Sequence, residues 1–174
     1  MARNTRIGRR QSGALAGMYG VLTLVFLFLS TWVPDSLAFL FLSFSGIFIG
    51  GLLAEDEMMG AIGVYIVCAC IGVIILADWG NMAPYVLFFG WYGVVKVALD
   101  DMRDRITAWC LKLTLFNATM ALALLLAPMP LFTYLLERIP LLFLLFLGQL
   151  LFLVFDAAIY LMIQAQGAVF RKYL

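Results

Sequence analysis

Apolar residues in this chain neither alternate nor keep to one helical stripe; they fill whole stretches, and polar residues collect in the gaps between them. Runs that are apolar on every side predict helices surrounded by lipid or protein rather than by water. The runs cover 13–33, 36–54, 58–77, 82–99, 106–127 and 141–163, the last continuing toward residue 170. Pro34-Asp35, Glu55-Asp56-Glu57, Asp78-Trp79-Gly80-Asn81 and the charged stretch from Asp100 to Arg105 separate the first five. Pro128-Met129-Pro130 and LFTYLLERI stand before the sixth. The pattern therefore predicts an all-α, polytopic membrane protein with six transmembrane helices. They form one domain, 13–170, between a basic N-terminal segment, 1–12, and a short C-terminal one, 171–174.

Composition strengthens this reading. With 66% hydrophobic and only 12% charged residues among 174, the chain has too little polar surface to cover itself in water. Six spans of ~20 residues leave only connections for any aqueous part. The first run follows Arg3, Arg6, Arg9 and Arg10 but ends in Ser-Thr-Trp-Val-Pro rather than a small-x-small cleavage site, so a retained helix is expected.

Charge gives the orientation. An inside N-terminus puts Arg3, Arg6, Arg9, Arg10, Arg103, Arg105, Arg171 and Lys172 on the inner side and Arg138 on the outer, so both termini are expected in the cytoplasm and the protein in the cell membrane. Trp32, Trp79, Tyr85 and Tyr134 then fall at the outer boundary, where an aromatic belt is ordinary. Glu55, Asp56 and Glu57 suit the positive end of the third helix. Asp101 and Arg105 are spaced to pair at i,i+4, and residues 131–139 read as a short interfacial helix whose Glu137 and Arg138 would border any outward-facing pocket.

The sequence offers little for catalysis. It has no histidine, no HExxH, GxSxG or GxGD motif, and no cysteine spacing suited to zinc, since Cys68 and Cys70 point to different helix faces and Cys110 stands alone. No enzyme activity, metal or cofactor is expected, nor is nucleic acid as a partner, because the orientation rule accounts for the N-terminal arginines.

Three ionisable groups remain inside the spans. Lys96 can snorkel to the inner interface and pair with Asp100 at i,i+4. Lys112 lies about 10 Å inside, at the limit of a lysine stem, and Asp156, whose short side chain cannot snorkel, about 12 Å inside. Equal depth predicts a buried Lys112–Asp156 pair. Gln149, Asp156, Tyr160 and Gln164 form one polar stripe, with Tyr160 as the expected hydrogen-bond donor. The pair suits either helix packing or proton and ion coupling. Asn117, 140° from Lys112, is placed to bond another helix.

The runs FFGWYGVVK (88–96) and WCLKLTLFN (109–117) resemble the FFGxYxxxK and WxxKLxxFN helices of an uncharacterised family of six-span membrane proteins found mainly in clostridia and their relatives. The matching residues are Gly90, Tyr92 and Lys96, then Trp109, Lys112, Phe116 and Asn117. In size, span count and inside termini the chain is similar to the substrate-binding S components of energy-coupling factor transporters. That similarity implies a small-molecule ligand and partners in a transmembrane coupling subunit and its ATPases. It also implies docking through small residues four apart on the first helix, Gly13 with Gly17 or Ala16 with Gly20. An outer ligand site would then fall near Trp79, Asn81, Tyr85 and Tyr134. A first outer connection of little more than Pro34-Asp35 departs from that pattern. The alternative is a non-transporting scaffold subunit of a membrane complex, similar to the six-span cell-shape protein MreD, on the looser likeness of GGLLAEDEMMGAIG.

Overall fold

The computed structural model describes the backbone of residues 2–54, 58–76, 79–126 and 137–173, and the side chains of 13–34, 37–54, 58–75, 79–126 and 137–165. Its regular elements among these residues are helical, joined by short turns: α1 (Ala2–Ser30), α2 (Asp35–Leu53), α3 (Met58–Leu76), α4 (Trp79–Pro84), a π turn (Tyr85–Phe89), α5 (Gly90–Asp100), α6 (Arg105–Leu126) and α7 (Leu141–Tyr173). Among the described residues five helical stretches are long and apolar enough to cross a membrane, and the apolar part of α2, Leu37–Leu53, is shorter. The chain has the helices of an integral membrane protein. The Glu55–Glu57 cap, Tyr134 and most of the expected interfacial helix lie outside the described residues.

From Ala2 on, the basic N-terminal segment is helical and continuous with α1. One boundary differs from the sequence expectation. The Trp79-Gly80-Asn81 cluster is helical, so that α4, the π turn and α5 make one continuous span, Trp79–Asp100. At the other end of α1, Ser30 and Thr31 hydroxyls donate to the carbonyls of Leu27 (2.6 Å) and Phe28 (2.8 Å). These bonds satisfy acceptors that a helix terminus leaves open.

Side-chain contacts join the helices. Phe26 of α1 meets Phe41 and Phe48 of α2. Cys68 Sγ donates to the Gly20 carbonyl at 3.6 Å from α3. Phe116 stacks on Phe152 at 4.9 Å between antiparallel α6 and α7. Helix α2 occupies the centre, in contact with α1, α3, α5 and α7. It does so by close backbone approach: a Cβ on Gly46 would stand 2.3 Å from the Phe89 carbonyl oxygen, and one on Gly93 would stand 3.3 Å from Leu53. Small residues perform this role in membranes, where apolar burial supplies little drive for one helix to pack on another.

The π turn follows from Pro84, which has no N–H to continue the ladder; the next turn widens so that Gly90 N–H reaches the Tyr85 carbonyl. Tyr65 and Trp91 donate to the Val86 and Leu87 carbonyls at 2.8 and 2.7 Å. Gly90 makes room for this, since a Cβ there would lie 2.5 Å from the Tyr65 ring. The wider turn also points two successive aromatics inward, Phe88 and Phe89, at the middle of the core. Phe88 touches Tyr92, Phe116 and Phe152.

Candidate functional site

Tyr92, Lys96 and Asp100 lie four residues apart on α5 and so share a face toward α6 and α7. Lys112 comes from the second turn of α6 and Asp156 from the middle of α7. Lys96 and Lys112 are each 2% exposed and Asp156 5%. Asp156 Oδ1 accepts from Tyr92 Oη at 2.6 Å and from Lys96 Nζ at 2.7 Å, and Lys112 Nζ stands 3.4 Å away. Asp100 binds the same lysines from the end of the bundle, Oδ2 to Lys96 at 3.1 Å and Oδ1 to Lys112. The Asp100 side chain is 42% exposed, so it is the wet member of the group.

Two ammonium and two carboxylate groups balance. Burying an unpaired ion costs several kcal/mol, of order 3–5 when one partner of a buried pair is removed, whereas a closed and hydrogen-bonded group avoids most of that penalty. Aromatic faces complete the surroundings: Lys112 Nζ lies 4.9 Å from the Trp109 ring and Lys96 Nζ 5.8 Å from Tyr160.

Several expectations are corrected here. Lys96 does not snorkel; its ammonium turns inward to Asp156 while also keeping Asp100. Tyr160 is not the donor to Asp156. It is half exposed, offers its ring to Lys96, and its hydroxyl accepts from Gln164 at 2.5 Å. Tyr92 donates instead because α5, packed beside α7, aims it at the carboxylate. The polar stripe divides, for Gln149 bonds to Asn117 at 2.7 Å, away from the charges. The anticipated Asp101–Arg105 pair is not among the ion pairs of the described residues. Asp104 caps α6 there, accepting from Ile106 N at 3.1 Å and from the Thr107 hydroxyl.

The motif residues thereby acquire physical roles: Gly90 admits the Tyr65 ring, Tyr92, Lys96 and Lys112 hold Asp156, Trp109 covers Lys112, Phe116 stacks on Phe152, and Asn117 reaches Gln149. Sequence reasoning missed Asp100 as the second acceptor for Lys112. The signal was the spacing of Tyr92, Lys96 and Asp100 in steps of four.

Of the residues expected at an outer ligand site, Tyr134 lies outside the described residues. Tyr85 is fully buried, its hydroxyl without a partner, while Trp79 is half exposed and Asn81 partly buried. A crevice between α2 and α7, lined by residues such as Phe39, Ile47, Phe155 and Ala158, is almost wholly apolar. On α1 the two small-residue strips separate: Ala16 and Gly20 pack inward, Gly20 toward Val64, whereas Gly13 and Gly17 face open space.

Comparison with family models, curated proteins and solved structures finds no match to the chain.

Proposed function

We propose that the protein is a multi-pass subunit of the cell membrane that takes part in moving a small molecule, similar to the S components of energy-coupling factor transporters. One observation carries the reading: Asp156 is held deep among helices by Tyr92, Lys96 and Lys112, while the same lysines reach a half-exposed Asp100 at the bundle end. Charges at such depth are costly, and they commonly mark a substrate or ion path. In this reading the arginine-bearing end is cytoplasmic, and the open Gly13 and Gly17 face receives a helix of a transmembrane coupling subunit that works with ATPases.

The second reading, a scaffold subunit of another membrane complex, is favoured by a different observation. Met82, Tyr85 and Phe88 are fully buried and fill the interior of the span that leads to the ion-pair group, where a substrate would need room. In that case the charges hold helices together and the partners are structural.

Affinity purification of the full chain in mild detergent separates the two. Recovery of a coupling subunit with its ATPases supports the transport reading; recovery of cell-wall synthesis or division proteins without them supports the scaffold and sinks the first.

A further inference from the structure

The charge group is balanced, but its members are not held alike. Asp156 is 5% exposed and takes a hydrogen bond from Tyr92 in addition to the lysines. Among the described residues Asp100 is bonded only to the two ammonium groups, and its side chain is 42% exposed. It is also the last residue of α5, with Asp101 at the C-cap, and carboxylates are disfavoured at the negative end of a helix dipole. Its place is therefore maintained chiefly by Lys96 and Lys112, each bonded to a different oxygen of the one carboxylate.

We propose that Lys96 and Lys112 form an oxyanion site whose resident occupant is Asp100, and that a singly charged external oxyanion, a phosphodiester or a carboxylate, takes its place when Asp100 turns out to solvent. One negative charge leaves and one enters, so the buried group stays neutral; a doubly charged phosphomonoester would leave it one negative charge in excess. The approach is lined for such a ligand. Arg105, Trp109 and Lys112 stand at i, i+4 and i+7 on one face of α6, the first two exposed and the third bonded to Asp100. An exposed cation and an indole that lead along one face to a buried second cation fit an anionic lipid headgroup as well as a free anion.

The inference names the ligand chemistry of the group invoked under the proposed function, and it rests on that group having a role beyond packing. The test is the thermal unfolding midpoint of the full chain with two kinds of probe: acetate and dimethyl phosphate in neutral detergent, and nanodiscs of phosphatidylglycerol against phosphatidylcholine. Binding to the folded state raises the midpoint by mass action. Asp100→Asn, which removes the competing charge, is expected to bind the effective probe roughly tenfold more tightly, as for the loss of one charge-assisted hydrogen bond. Lys96→Gln combined with Asp100→Asn keeps one lysine opposite Asp156, so it remains neutral, and it is expected to lose the shift.

A response to acetate or dimethyl phosphate identifies a free oxyanion; a response confined to phosphatidylglycerol identifies the headgroup. No probe-dependent shift in either the wild type or Asp100→Asn overturns the inference, as does an undiminished shift in the double variant. Partner recovery that persists alongside such a failure would leave the transport reading standing and remove this inference alone.

Discussion

Tyr92 Oη and Asp156 Oδ1 are 2.6 Å apart, a hydrogen bond that joins two helices whose contact residues are 64 positions distant in sequence. A hydrogen bond to a charged group contributes about 1.5–3 kcal/mol, and Tyr92→Phe deletes it while keeping the ring that packs on Phe88 and Phe152. The expected outcome is a lower unfolding midpoint in detergent with unchanged helical content by circular dichroism. An unchanged midpoint would show that Lys96 and Lys112 alone satisfy the carboxylate.

The two glycine sets on α1 and α2 should respond oppositely. Gly46→Ala places a methyl group against the Phe89 backbone, which cannot move aside as a side-chain tip can, and is expected to reduce folded yield sharply. Gly17→Ala meets nothing within 4 Å and gains up to about 1 kcal/mol of helix propensity. Size-exclusion profiles and melting curves of the two variants, made side by side, check the contrast.

Gly17→Leu tests the open face of α1 separately. It is expected to leave the melting curve near that of the wild type while reducing recovery of membrane partners. Equal recovery would remove this strip from the docking surface.

The cap of α6 carries a pH dependence of defined sign. Bonds from Thr107 and the Ile106 backbone hold the Asp104 carboxyl below its ordinary range. A carboxyl with a lowered folded value contributes stability above its unfolded value and loses it as pH falls through the folded one, here below about pH 4. The melting difference between wild type and Asp104→Ala should therefore be present at pH 6 and shrink in stronger acid. A difference independent of pH would assign the effect to helix propensity instead.

The helices were legible in the sequence because lipid imposes continuous apolar runs, and breaks such as Pro34 and the Asp100–Arg105 stretch are plain. Rise per residue likewise fixes height along a helix and brings Lys112 to the level of Asp156. It leaves rotation open. Whether Tyr92 or Tyr160 faces Asp156 depends on how α5 and α7 turn about their axes, and the π turn after Pro84 shifts the phase of α5 by an amount no regular period contains. Lys96 was misplaced for a related reason: a snorkelling lysine and a buried one have the same sequence, and only the neighbouring Asp156 decides between them.

The most direct test of the central claim, that the buried charges neutralise one another as a unit, is a double-mutant cycle on Lys96 and Asp156, whose charged atoms are 2.7 Å apart. Unfolding midpoints are compared for wild type, Lys96→Met, Asp156→Leu and the pair. Each single change strands a charge and is expected to lower the midpoint strongly; the double change leaves Lys112 with Asp100 and is expected to melt above both singles. Additive losses, with the double variant least stable of all, would contradict the account.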